Sequence, residues 1–120
     1  MNALLITTDL MASSAAEGAA RAAGATLRVV PPSQSLDAAR AASARVVAID
    51  LTAKIDDLAE LIAALREAAP GVAVVAYGPH VHEARLAAAR DAGCDLVMSR
   101  GQFHRGFGEV LARYASEDAG

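Results

Sequence analysis

Apolar residues fall in short continuous runs, separated by longer stretches in which they recur at helical spacing. The runs are Leu4-Leu5-Ile6-Thr7, Thr26 to Val30, Arg45 to Leu51, Val72 to Tyr77 and Leu96-Val97-Met98. Each is rich in Val, Ile or Leu and bounded by Gly, Pro or polar residues, which predicts strands. Five helices are predicted around them: Ser13 to Ala23, Leu36 to Ser43, Asp56 to Ala69, Val81 to Ala92, and about Gln102 to Ala115. Leu58, Leu61, Ile62 and Leu65 make one apolar stripe on the third helix. Phe103, Phe107, Val110, Leu111 and Tyr114 make one on the fifth. The punctuation agrees. Ser13 or Ser14 stands where a cap is needed, with Ser35 before the second helix. Gly24 and Gly93 stand where helices stop, and Pro31-Pro32, Pro70-Gly71 and Gly78-Pro79 end the neighbouring elements.

The strand runs are apolar throughout instead of alternating with polar residues. Strands read that way when both faces are covered, which implies a parallel sheet between two helical layers. Five strand–helix pairs joined by right-handed crossovers make an α/β fold. The expected architecture is a flavodoxin-like (βα)5 three-layer sandwich with strand order 2-1-3-4-5. It is expected to occupy residues 1–116 as one domain, leaving 117–120 as a disordered polar tail.

Composition narrows the picture. The chain has 120 residues and is 54% hydrophobic, but alanine supplies 31 of them. With no Trp, two Tyr and two Phe, the bulky core is smaller than the percentage suggests. A net charge of −3 gives no basic excess to displace counterions, so no nucleic-acid partner is expected. No apolar stretch approaches the roughly 20 residues needed to span a bilayer, so no membrane partner is expected. The segment from Met1 to Asp9 has no basic start, and Cys94 is a single cysteine without an internal partner. Both features point to a cytoplasmic protein.

Open α/β sheets bind ligands at the carboxyl ends of their strands, near the switch in strand order. For order 2-1-3-4-5 that crevice receives Thr8 and Asp9 after the first strand and Asp50 at the end of the third. Tyr77-Gly78 and Ser99-Arg100 end the fourth and fifth. Asp9 and Asp50 are either ordinary capping or solvent-facing residues or a carboxylate pair able to hold one Mg²⁺. Other candidates are thinner. His80 and His82, two apart, do not share a helix face, and Cys94 lies beside Asp95, which disfavours a thiolate. Ser99 to Phe103 is either an ordinary turn or an anion site built from backbone N–H groups. No glycine-rich phosphate loop is present.

Taken together, the alternation, the length and the strand-end residues resemble response-regulator receiver domains of the CheY type, over nearly the whole chain. The resemblance implies a regulatory module in two-component signalling or a phosphorelay, not an enzyme. It makes Asp50 the phosphoacceptor candidate. The acidic pair of the family matches Thr8-Asp9, so only Asp9 survives. Its strand-four hydroxyl matches Val75, with Ala76 beside it, so the hydroxyl is lost. Its Lys after strand five matches Arg100, or Ser99 after a one-residue slip, and the Pro that follows is Gly101. These departures point to a degenerate pseudo-receiver that works as a protein-interaction module. No cofactor is then required, and Mg²⁺ at Asp9 and Asp50 is optional. A competent phosphoacceptor using Mg²⁺ and Asp50 is the alternative. A small anionic-ligand-binding domain, with its anion near Thr8, Asp50 and Arg100, is the third reading. The implied partners are a signalling kinase or output protein. A homodimer through the last two helices would have Arg85, Arg90, Asp91 and Arg113 at its rim.

Overall fold

Five parallel strands form one sheet in the order β2-β1-β3-β4-β5. A computed structural model describes residues 1–119, with side chains as far as Ala115. The strands are β1 Asn2–Ile6, β2 Thr26–Val30, β3 Val46–Asp50, β4 Ala73–Gly78 and β5 Leu96–Ser99. The helices are α1 Leu10–Ala22, α2 Ser35–Ala42, α3 Leu58–Ala68, α4 Glu83–Asp91 and α5 Arg100–Ala119. A 3₁₀ turn, Pro32–Gln34, leads into α2. The expected tail over 117–120 overlaps the end of α5, and its side chains and Gly120 lie outside the described residues.

The sheet divides the core in two. Leu4, Ile6, Val47, Ile49, Val74 and Ala76 face α2, α3 and α4. Ala3, Leu5, Val46, Ala48, Ala73, Val75 and Tyr77 face α1 and α5. β3 and β4 are buried along their whole length, because they are central strands with helices on both sides. The predicted stripe of α5 holds: Phe103, Phe107, Val110 and Leu111 are buried, and Tyr114 packs partly buried at the edge. On α1 the buried residues are Ala12, Ala16 and Ala20. Their small side chains let α1 lie close beside the aromatic face of α5.

α3 and α4 begin two residues later than expected, at Leu58 and Glu83, whereas α1 and α5 begin earlier because a better acceptor lies upstream. The Asp9 carboxylate accepts the N–H of Met11 at 2.9 Å and of Ala12 at 3.4 Å, so α1 begins at Leu10 and Ser13 lies inside it. Ser99 and Gln102 form a reciprocal pair at the start of α5. The N–H of Gln102 donates to Ser99 Oγ at 3.1 Å, and the N–H of Ser99 donates to Gln102 Oε1 at 2.8 Å. This capping box starts α5 at Arg100. At the opposite rim, Arg66 donates to the carbonyls of Val72 and Gly93, at 3.0 and 2.8 Å, and pairs with Asp95 at 3.3 Å. That cluster ties α3 to the incoming ends of β4 and β5.

Candidate functional site

Because β1 and β3 are neighbours, their carboxyl ends bring Asp9 and Asp50 to the same rim. In a strand, alternate residues share a face. Ala3 and Leu5 pair with Val46 and Ala48 on the α1/α5 side. Two residues further, the same parity carries Thr7 and Asp50 onto that side. Tyr77 joins them as the register partner of Asp50.

Asp50 is 1% exposed, and both of its carboxylate oxygens are occupied. The Thr7 hydroxyl donates to Oδ2 at 2.6 Å. The Thr52 N–H and hydroxyl donate to Oδ1 at 2.9 and 2.7 Å. The short hydroxyl contacts are charge-assisted bonds, among the stronger kind in proteins. The Thr52 pair is an Asx turn in which the side chain holds its own loop. Thr7 Oγ1 also accepts the N–H of Asp9 at 3.0 Å. A chain of hydrogen bonds therefore runs from the start of α1, through Thr7 and Asp50, to the β3–α3 loop.

Tyr77 closes the other side. Its ring stacks on Phe103 at 3.9 Å with planes 7° apart, and Phe103 meets Phe107 at 4.5 Å. Its hydroxyl is buried and has no hydrogen-bond partner among the described residues. Burial lifts the phenol pKa well above its ordinary range, and the negative charge of Asp50 lifts it further. Asp9 adds to the rise, while the Thr7 hydroxyl and the Arg100 charge oppose it. Thr7 lies near enough to polarise the phenol, but not in hydrogen-bond geometry.

Several expected site residues are placed differently. Thr8 is exposed, and Thr7 makes the contact, because the strand's parity turns position 7 inward and position 8 out. Val75 pairs with Ala48 two residues below the rim and is plain core. Ala76 faces the other helical layer. The hydroxyl residue that β4 brings level with Asp50 is Tyr77. The signal lay in the sequence: Tyr77 is the hydroxyl residue directly before the small Gly78. Ser99 is committed to capping α5. Arg100 is exposed at the rim, close enough to act on Tyr77. His80 and His82 are exposed, and no group of three metal-ligating side chains occurs among the described residues. Cys94 is half-buried, and burial pushes its thiol up to about 11. Thr7 and Thr52 are site residues that motif reasoning passes over, since neither matches a position of the acidic pair.

Asp9 and Asp50 are the right donor type for Mg²⁺ and stand at one rim. Asp50 Oδ1 takes two protons, while Asp50 Oδ2 takes one and Asp9 Oδ2 takes none among the described residues. Asp9 Oδ2 and the remaining lone pair of Asp50 Oδ2 are therefore the atoms that would hold the ion, which would offset carboxylate charge at this rim. The fold itself requires no cofactor.

No protein-family model matches the chain, and no curated protein matches it in sequence. Solved structures do. A CheY-like protein, TadZ, from Pseudomonas aeruginosa superposes with a TM-score of 0.74 at 19% identity, covering 95% of this chain and 98% of that one. A response regulator from Thermotoga maritima gives 0.79 at 16%, covering 96% and 97%. The receiver domain of a sensor histidine kinase from Pseudomonas aeruginosa gives 0.77 at 16%, covering 94% and 95%. That domain is described with a magnesium ion coordinated in its active-site cleft. At these identities the likeness is one of fold, and the fold is that of CheY-like receiver domains.

Proposed function

We propose that the protein is a receiver-like signalling module of the degenerate, pseudo-receiver kind, which docks a protein partner and does not use Asp50 as an efficient phosphoacceptor. One observation carries this reading: the Thr7 and Thr52 hydroxyls already occupy both Asp50 oxygens. Phosphoryl transfer to a carboxylate depends on positioning and on neutralising developing charge. Here the attacking oxygen already holds a charge-assisted bond, which weakens as its charge passes to the phosphoryl group. A hydrogen bond to a charged group is worth roughly 1.5–3 kcal/mol, which slows the step by about one to two orders of magnitude. The rim also fits a docking role. Leu10 and Met11 are each 83% exposed where α1 begins, and Val81 is 71% exposed after β4. Large apolar side chains held in water at one rim are what a partner covers. The α4–β5–α5 face, with Arg90, Asp91 and Arg113, remains the proposed self-association surface; Arg85, expected at its rim, turns instead toward the β3–α3 loop and donates to the Leu51 carbonyl. We assign the module to the cytoplasm, a reading supported by its single, unbridged Cys94.

The competent-phosphoacceptor reading retains one supporting feature, the Arg100 charge at the rim. Incubation with acetyl phosphate and Mg²⁺, followed by intact-mass measurement, separates the two. The mass is expected to stay unchanged. A gain of one phosphoryl group that disappears in Asp50→Asn overturns the proposal.

A further inference from the structure

Away from Asp50, the loop between β3 and α3 roofs a groove of about 460 Å³ that opens toward α4. Its apolar lining comes from Leu51, Ile55 and Leu58, all half-buried. Two cations stand over it: Lys54 on the loop and Arg85 on α4. The Arg85 guanidinium leans across the groove, with Nη1 3.4 Å from the Leu51 carbonyl. Among the described residues neither cation has a carboxylate partner. Asp56 is the acidic side chain on the lining, so the rim is net positive on a chain whose overall charge is −3. The volume falls in the range of small-ligand sites, and the lining joins apolar side chains to charged ones in an open groove. Lys54 and Arg85 both line the groove without a carboxylate partner among the described residues, so an anionic head gains their attraction while an apolar body lies against Leu51, Ile55 and Leu58.

We infer that this groove binds a small amphipathic organic anion, its carboxylate or phosphate head between Lys54 and Arg85 and its apolar body against Leu51, Ile55 and Leu58. The site is separate from the Asp50 pocket, and its occupancy does not depend on how Asp50 is read. Binding does reach that pocket, because the roofing loop includes Thr52, which holds Asp50. The bound head group is drawn to the cations, and the loop from Leu51 to Asp57 is held more tightly with the ligand in place.

Octyl phosphate, octanoate, octylammonium, octanol and inorganic phosphate test the inference, all below micelle-forming concentrations. Thermal shift and calorimetry report binding, and hydrogen exchange reports the loop. Octyl phosphate is expected to raise Tm in a saturable way and to slow exchange over residues 51–57. Octanoate is expected to do the same. Octylammonium is expected to have no effect, and inorganic phosphate alone little. Charge reversal in Lys54→Glu or Arg85→Glu is expected to weaken octyl phosphate about tenfold, as for an exposed ion pair turned repulsive. Both positions are exposed, and circular dichroism checks that the variants stay folded. Equal binding of octanol or octylammonium overturns the inference, because the groove is then merely greasy. Equal binding of inorganic phosphate, or full binding by both variants, overturns it as well.

Discussion

Replacing Tyr77 by Phe removes one oxygen atom and leaves the ring. That atom is buried and has no partner among the described residues, so it is lost from a place where it costs stability. An unsatisfied buried hydroxyl costs roughly 1–3 kcal/mol. The void left by one oxygen gives back a few tenths, at about 24 cal/mol per Å³. The stack on Phe103 stays, since only ring atoms form it. Tyr77→Phe is therefore expected to stabilise the protein by about 1–2 kcal/mol. For a chain of this length that is roughly 3–8 °C in Tm. The pH dependence carries the same signature. In the unfolded chain the phenol ionises near 10, while in the fold it holds its proton to higher pH. The unfolded state binds fewer protons above that point, so the parent protein loses stability as pH rises past about 10. The Phe variant lacks this term, and its advantage should widen by about 1.4 kcal/mol per pH unit. Urea unfolding at pH 7.5, 10 and 11 measures both effects. A variant less stable than its parent at pH 7.5, with no divergence at high pH, refutes the reasoning. The phenol would then have a hydrogen-bond partner, and the Asp50 pocket would be arranged differently.

Thr7→Val keeps the shape of the side chain but removes the donor to Asp50 Oδ2. The midpoint of urea unfolding should fall, corresponding to a loss of about 1.5–3 kcal/mol, and an unchanged midpoint would show that the bond contributes nothing. Cys94 should react slowly with iodoacetamide at pH 8. Lifting its pKa from 9.0 to about 11 leaves roughly a hundredfold fewer thiolates than in an unfolded control. The rate should climb with pH until about 11, and equal rates for folded and unfolded protein at pH 8 would contradict the burial argument.

The site and the fold were legible to different depths. Asp50 could be placed because it ends the third apolar run, and topology puts that end at the switch in strand order. The caps could not be placed as well. Ser13, Ser14 and Asp9 are all plausible capping residues in sequence, and only the short link from Ile6 to Leu10 selects Asp9. The threonines around Asp50 were hidden for another reason. Nothing in Leu4-Leu5-Ile6-Thr7-Thr8 shows which hydroxyl points toward the α1/α5 layer, since the strand is apolar on both faces.

Strand runs, helical periods and breakers are local properties, and they determined the α/β alternation, the parallel sheet and the order of its layers. Which side chain meets which is a matter of register, and a shift of one residue turns every side chain of a strand to the opposite face. In a sheet buried on both sides, the apolar pattern does not distinguish those registers. Only packing of β1 and β4 against β3 decided that Thr7, not Thr8, shares the face of Asp50, and that Tyr77, not Val75 two residues below on the same face, lies level with it.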